Sequence, residues 1–287
     1  MNFEICTDSV EGAIAAEKFG AKRIELCSAL SVGGLTPSYG LIKQCVEKST
    51  VEVHVIVRHK EGNFNYNDED VELMKIDIEA SKKAGAHGVV FGILDENNEI
   101  SIKNKELVIF SKSLGLGVTF HRAFDFVLDY KLAIEQLINF GFDRLLTSGL
   151  QSTAEKGLTI ITYLQANYGN QIQIMAGSGV NASNAKIIAS SGINNLHFTA
   201  RKPSNKTIEL SMGELMVVDE EKIKNIINQF IWVAICMLSN SMLSKIKKWS
   251  KKWNSRQPEL DSGSHNNWQS VQWDSEINSE WRIPRLF

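Results

Sequence analysis

Cysteine is scarce in this 287-residue chain, which holds only Cys6, Cys27, Cys45 and Cys236. Four thiols so far apart make no disulfide framework, and a reducing cytoplasm is the expected setting. An excess of one charge is also lacking. The formal net charge is −2, which gives no electrostatic footing for nucleic acid or an anionic membrane. The opening Met1-Asn2-Phe3-Glu4 carries neither a basic nor an apolar leader region, so export is not expected. An apolar run of nine residues, Phe230–Leu238, falls short of the roughly 20 that a membrane-spanning helix needs. Tryptophan is absent before position 232. All six (Trp232, Trp249, Trp253, Trp268, Trp273, Trp281) lie in a tail, 231–287, that has 8 Lys/Arg against 5 Asp/Glu, whereas the first 230 residues have 23 against 28. The tail is a different kind of sequence from the body.

What is present is a hydrophobic content of 43%, enough for a large core, and a regular alternation of short β-rich runs with helical patterns. Strands are expected at Phe3–Asp8, Arg23–Cys27, Glu52–Arg58, Gly88–Leu94, Val118–His121, Arg144–Thr147, Ile172–Ala176 and Leu196–Thr199. Helices fall between them. Thr36-Pro37-Ser38 supplies an N-cap with proline at the first helical position, and Asp68-Glu69-Asp70 puts acidic charge on the first turn of a helix to Lys83. Ser152 and Glu155 form a capping box for a helix to about Asn167, and Asp219 caps a last helix bearing Ile223, Ile226 and Ile227. Gly20, Gly85, Gly141 and Gly192 each close a helix shortly before a strand. Eight βα units in about 230 residues fit an α/β fold of the (β/α)8 TIM-barrel type. A doubly wound open sheet is the rival, but no GxGxxG follows the first strand.

In such a barrel the site lies at the C-terminal ends of the strands. Alternation puts Glu4 with Cys6, Glu25 with Cys27, His54 with Ile56 and Arg58, Thr119 with His121, and His197 with Thr199, with Asp8 at the rim. If those faces point inward, the lumen holds Glu4, Glu25 and His54 below, and Cys6, Cys27, Arg58 and His121 nearer the mouth. Buried charges of this kind must pair with one another or serve a ligand. Cys6 and Cys27 fall on adjacent strands at similar heights, where soft thiolates select Cu(I) and His121 adds a nitrogen. The plain alternative is two small buried hydrophobes, since no CxxC or His-x-x-x-His spacing is present. Cys45 faces a helix interior and reads as structural. Met175-Ala176-Gly177-Ser178-Gly179-Val180 follows the seventh strand and Thr199-Ala200-Arg201 the eighth. Loops in those places commonly hold phosphate, so Gly177, Ser178, Gly179, Arg201 and Arg58 are candidate anion contacts. A tight turn that simply needs glycine is the alternative there.

Several blocks in order resemble the CutC family of copper homeostasis proteins. They are Glu4-Ile5-Cys6-Thr7-Asp8-Ser9, Gly20-Ala21-Lys22-Arg23-Ile24-Glu25-Leu26-Cys27-Ser28, Gly33-Gly34-Leu35-Thr36-Pro37-Ser38 and Val53-His54-Val55-Ile56-Val57-Arg58. Val118-Thr119-Phe120-His121-Arg122-Ala123-Phe124-Asp125, Leu146-Thr147-Ser148-Gly149 and Met175–Val180 continue the series. The resemblance implies a TIM barrel, a cytoplasmic location and a role in copper handling, with Cys6 and Cys27 at the positions associated with copper. It implies no particular reaction. One departure is Arg58-His59-Lys60-Glu61-Gly62, where the family more often carries Arg-Pro-Arg-Gly-Gly, so family support for an anion contact in that loop is withdrawn. The other is the tail, which matches nothing in the family.

Two functions follow as expectations. The first is a cytosolic copper homeostasis protein that holds Cu(I) on Cys6 and Cys27, with His121. The alternative is an enzyme acting on a small phosphorylated or anionic metabolite, with Glu25, His54 or His121 doing acid–base work near neutrality. Copper ion or such a metabolite is then the partner, nucleic acid is not, and self-association into a homo-oligomer is compatible with either. The domain division expected is a barrel over 1–230 and an atypical, poorly ordered tail over 231–287. Its basic Lys245–Lys252 patch with Trp249 and Trp253 offers a membrane-surface reading, against an extended last helix or a frame change near residue 230.

Overall fold

The computed structural model describes residues 1–205 and 214–230. The expectations for the tail, 231–287, lie outside the described residues. Eight parallel strands close into a barrel in sequence order: β1 (Asn2–Thr7), β2 (Arg23–Leu26), β3 (Glu52–Ile56), β4 (Gly88–Phe91), β5 (Gly117–Phe120), β6 (Arg144–Thr147), β7 (Gln173–Ala176) and β8 (Asn195–Thr199). Between them run α1 (Val10–Lys18), α2 (Tyr39–Lys48), α3 (Asp68–Lys83), α4 (Lys103–Ser113), α5 (Tyr130–Phe140), α6 (Leu158–Tyr168) and the short α7 (Ala185–Ala189). A helix over 220–230, α8, follows a small hairpin of β9 (Arg201–Pro203) and β10 (Met216–Val218). This is the TIM-barrel architecture; β1 to β5 end one to three residues earlier than alternation suggests because their last residues turn into the mouth loops, and β6 to β8 end where expected.

The capping chemistry explains most helix boundaries. Ser9, Asn67 and Asp129 accept backbone N–H groups of the first turns of α1, α3 and α5, and Asn67 with Asp70 forms a reciprocal capping box. Gly20, Gly85, Gly141 and Gly192 adopt φ between 80 and 98°, the left-handed turn that ends a helix. Two expectations are corrected. Ser38, not Thr36, caps α2, so Pro37 precedes the cap; Thr36 Oγ1 instead accepts the Arg58 N–H at 2.9 Å. The Ser152/Glu155 box does not form. The helix begins at Leu158 behind Gly157 without a side-chain cap, and Glu155 accepts from Asn184 Nδ2 at 3.0 Å.

Two cores result from the strand period of two. Outward-facing Phe3, Ile5, Ile24, Leu26, Val53, Val55, Val89, Phe91, Val118 and Phe120 pack with the helices into the main apolar layer, which α8 joins through Ile223, Ile226 and Ile227. Inside the barrel a much smaller apolar group contains only Cys6, Cys27, Ile56 and Val90, with Leu30 packed on it. Most of the other lumen side chains are polar, with Leu146 and Met175 as buried apolar exceptions.

Candidate metal centre in the barrel lumen

Neighbouring strands pair Glu4 with Arg23 and His197, and Cys6 with Glu25 and Thr199. Glu25 in turn sits beside His54. The register therefore stacks two polar layers. In the lower one, Glu4 is fully enclosed. Its Oε2 accepts from Arg23 Nε and its Oε1 lies 2.8 Å from His197 Nδ1. Arg23 reaches across the lumen, with Nη2 4.0 Å from Met175 Sδ, while Arg144 Nη1 donates to Thr119 Oγ1 at 3.2 Å. Burial alone would raise the Glu4 carboxyl. The His197 hydrogen bond and charge, with Arg23, outweigh that and hold it well below the usual carboxylate range.

His54 fits the lumen because β4 supplies no side chain opposite it: a Cβ at Gly88 would come within 2.5 Å of His54 Nδ1. Burial holds the His54 imidazole down at about 3, helped by Arg144 and Arg23 and opposed by Glu4. It is a neutral ring whose Nδ1 has no partner among the described residues.

The upper layer contains the thiols. Cys6 Sγ and Cys27 Sγ are 3.8 Å apart, both buried, and both in the reduced state. Contact with Cys27, burial and the adjacent Glu25 carboxyl all push the Cys6 thiol well above its ordinary value. The Cys6 sulfur, a Glu25 oxygen and a His197 nitrogen all lie within 4.8 Å of one another. His197 Nε2 is 3.7 Å from Glu25 Oε2, and Glu25 Oε1 is buried without a hydrogen-bond partner among the described residues. Burial raises the Glu25 carboxyl, with Glu4 adding to the rise and His197 opposing it. Burial lowers the His197 imidazole, but the Glu25 and Glu4 carboxyls prevail and raise it.

A loop roofs the thiols. Ser28 and Leu35 pair as an isolated antiparallel bridge, and the chain between them makes a 3-10 turn at Leu30–Val32. Gly34 has φ 93°, and a Cβ there would stand 2.9 Å from Ile56 Cδ1 and 3.3 Å from Cys27 Cβ. Arg58 fastens this roof: Nη1 donates to Val32 O and Gly34 O, each at 3.0 Å, and Nη2 donates to Gly62 O at 3.1 Å. Both terminal nitrogens of Arg58, an expected anion contact, thus donate to carbonyls, while its buried Nε has no partner among the described residues.

For His121 the expectation is corrected. It does not join the thiols; the imidazole gathered beside Cys6 is that of His197. His121 Nδ1 accepts the Ala123 N–H at 3.2 Å and caps a 3-10 turn over Arg122–Phe126, and its ring packs 4.9 Å from that of Phe64. Burial and the nearby Arg58 hold it down at about 3. Of the candidate acid–base groups, Glu25 and His54 are neighbours in register on β2 and β3, and His121 lies in the loop after β5.

At the opposite side of the mouth, Gly177 N donates to Thr147 O, and a Cβ on Gly177 would press on Leu146 and His197. Ser178 has φ 79° and its Oγ donates to Ser152 O, while Gly179 O accepts from Asn181 and Asn184. Arg201 Nη1 pairs with Asp8 at 3.1 Å, and its buried Nε has no partner among the described residues. Cys45 packs in the outer core with its thiol pushed up by burial to about 11, a structural residue as expected.

Arg23, Arg144 and His197 are the lumen residues that sequence reasoning did not select. The signal for Arg23 was present, since one more step of two back from Glu25 reaches it.

The sequence profile of the CutC family matches residues 1–202. A CutC family protein of Bacteroides fragilis is 44% identical over 226 residues, covering 76% of this chain and 89% of the relative. One from Glaesserella parasuis is 41% identical over 238 residues, covering 79% and 98%. The crystal structure of CutC from Streptococcus agalactiae, named for a proposed role in copper homeostasis, superposes with a TM-score of 0.65 at 34% identity, covering 69% of this chain and 98% of that one.

Proposed function

The chain belongs to the CutC family, and from that premise we propose that it handles copper in the cytoplasm by binding Cu(I) at Cys6 and Cys27. The observation that carries this reading is the pair of buried, reduced thiols 3.8 Å apart at the C-terminal ends of adjacent strands. Polarizable sulfur is the donor that Cu(I) prefers. Without a cation Cys6 is held neutral, so loading requires that thiol to lose its proton and makes affinity rise with pH. The roof of Leu30–Gly34 excludes water from the bound ion and keeps it from exchange. Copper is here the cargo.

The test is an anaerobic Cu(I) titration against a colorimetric Cu(I) chelator, with the wild type beside a Cys6→Ser/Cys27→Ser variant. Loss of one tightly bound equivalent in the variant is expected. Equal stoichiometry and affinity in the two proteins would overturn the reading.

A second reading, an enzyme for a small anionic metabolite, draws on the unpartnered buried Nε of Arg201. A panel of phosphorylated metabolites that raises the melting temperature of the wild type, but not of an Arg201→Leu variant, would favour it. No shift with any member would remove it.

A further inference from the structure

The thiol pair does not account for the two groups beside it. Glu25 and His197 are 3% and 7% exposed; Glu25 interacts with the Cys6 thiol, and His197 Nδ1 with Glu4. Glu25 Oε1 has no partner among the described residues, and the contact of Oε2 with His197 Nε2, at 3.7 Å, is too long for a hydrogen bond. A carboxyl left thus in a barrel core is costly unless something binds it.

His197 is arranged as metal-bound imidazoles are. Its Nδ1 faces Glu4 Oε1 at 2.8 Å, and Glu4 is itself held by Arg23. An ionised carboxylate can only accept, so Nδ1 carries the proton and Nε2 is the nitrogen turned to Cys6 and Glu25. A carboxylate behind the far nitrogen, fixing ring orientation and raising its basicity, is the usual support of a ligating histidine.

We propose that Cys6, Cys27, Glu25 and His197 form a four-donor site for a divalent, tetrahedrally coordinated cation of the zinc class. This rests on the reading that the thiol pair is a metal site but not on the metal being copper. The spacing fits. Tetrahedral bonds of about 2.3 Å to sulfur and 2.0–2.1 Å to nitrogen or oxygen place donors about 3.3–3.8 Å apart. The Cys6 sulfur, a Glu25 oxygen and a His197 nitrogen already lie within 4.8 Å of one another, with Glu25 Oε2 3.7 Å from His197 Nε2; Cys27 Sγ, 3.8 Å from Cys6 Sγ, stands outside that set and completes the tetrahedron by turning inward. Two sulfurs on opposite sides of a linearly held ion would stand two full bond lengths apart, farther than they do here.

Charge points the same way. Two thiolates and a carboxylate carry three negative charges, the imidazole is neutral, and Arg23 cancels Glu4. A monovalent ion leaves two uncompensated charges in a buried site, and a divalent ion leaves one. Sulfur, nitrogen and oxygen donors together also match the borderline softness of zinc better than that of Cu(I), for which sulfur alone suffices.

The experiment uses the full chain, reduced and anaerobic, with Co2+ as the spectroscopic probe and Zn2+ as competitor. The wild type is expected to bind one Co2+ with thiolate charge-transfer bands and the strong visible absorption of a four-coordinate ion, both abolished by Zn2+. X-ray absorption of the zinc-loaded wild type is expected to show two sulfurs at about 2.3 Å and two nitrogen or oxygen atoms at about 2.0–2.1 Å, with imidazole scattering. His197→Gln and Glu25→Gln should each weaken Co2+ binding at least about tenfold and leave Cu(I) binding unchanged. An absorption shell without imidazole, a six-coordinate oxygen shell, or no charge-transfer band in the wild type would overturn the site. The two absorption measurements need no variant, so a substitution that fails to fold leaves the test intact. Cu(I) binding at the cysteines with no Co2+ binding would refute this site and leave the copper reading standing. Co2+ binding with Cu(I) affinity indifferent to the cysteine double variant would do the reverse.

Discussion

Asp125 Oδ2 accepts both the backbone N–H of Ser148, at 3.0 Å, and its hydroxyl, at 2.8 Å. The other carboxylate oxygen accepts from Thr147 Oγ1 at 2.6 Å and from Leu150 N at 3.2 Å, and Arg122 Nε pairs with Oδ2 at 2.8 Å. One buried side chain thus ties the loop after β5 to the loop after β6. Replacing Asp125 with Ala should cost about 3 kcal/mol, since hydrogen bonds to a charged group contribute about 1.5–3 kcal/mol and the donors are left unpaired. Urea unfolding measures it, and a loss below about 1 kcal/mol, the ordinary cost of a point substitution, would refute the role.

The roof over the thiols depends on Arg58, whose guanidinium spans Val32, Gly34 and Gly62. An Arg58→Met change keeps an unbranched stem of similar length and removes the three carbonyl contacts together with the guanidinium 5.6 Å from the Phe64 ring centre. Local opening should then become easier by the value of charge-assisted hydrogen bonds, raising the rate at which a thiol reagent modifies Cys6 and Cys27 by about tenfold or more. Peptide-resolved mass spectrometry separates these sites from Cys45 and Cys236. Unchanged rates at Cys6 and Cys27 would show that the loop opens by another route.

Arg23 and Glu4 make the deepest ion pair, with side chains 2% and 0% exposed. Removing only the guanidinium, in Arg23→Met, leaves the buried carboxylate with His197 as its remaining charged hydrogen-bond partner and should cost about 3 kcal/mol. Adding Glu4→Gln should restore part of that loss, because the amide needs no counter-charge. A double-mutant cycle reads the coupling, and simple additivity of the two losses would show that the pair does not stabilise the lumen.

The barrel was legible because its signals are local. Period-two alternation marked the strands, and glycines such as Gly85 and Gly141 marked where helices stop. The Cys6–Cys27 neighbourhood was also legible, since both cysteines lie at the C-terminal ends of two consecutive parallel strands. The identity of the third partner was not. His121 follows the end of β5 and His197 lies within β8, and only barrel closure, which pairs β1 with β8, decides that His197 stands next to Glu4 and Cys6. The roof contacts of Arg58 were hidden for a different reason: a guanidinium at a barrel mouth reads as an anion contact, and nothing in its own strand reveals that Val32 and Gly34 turn their carbonyls toward it.

His121 and His54 are both buried neutral, with values held down to about 3 against about 6.5 in an unfolded chain. Between those limits the unfolded chain binds protons that the folded chain refuses, so stability falls as pH is lowered below about 6.5, by up to about 1.4 kcal/mol per pH unit for each ring. Glu25, raised above the ordinary carboxyl range by burial, acts in the opposite sense and offsets part of the slope. His197 does not: its raised value adds stability that is present below about 6.5 and lost as pH rises through its folded value. Asn at position 121 keeps an oxygen to accept the Ala123 N–H and to cap the 3-10 turn, but it cannot take a proton. His121→Asn should therefore leave stability near neutrality little changed while flattening the decline between about pH 6 and 5 by up to about 1.4 kcal/mol per unit. Urea midpoints of both proteins across that range measure the difference. Parallel curves would mean that the folded protein protonates His121 freely, and that its burial between Phe64 and Phe120 does not hold the ring neutral.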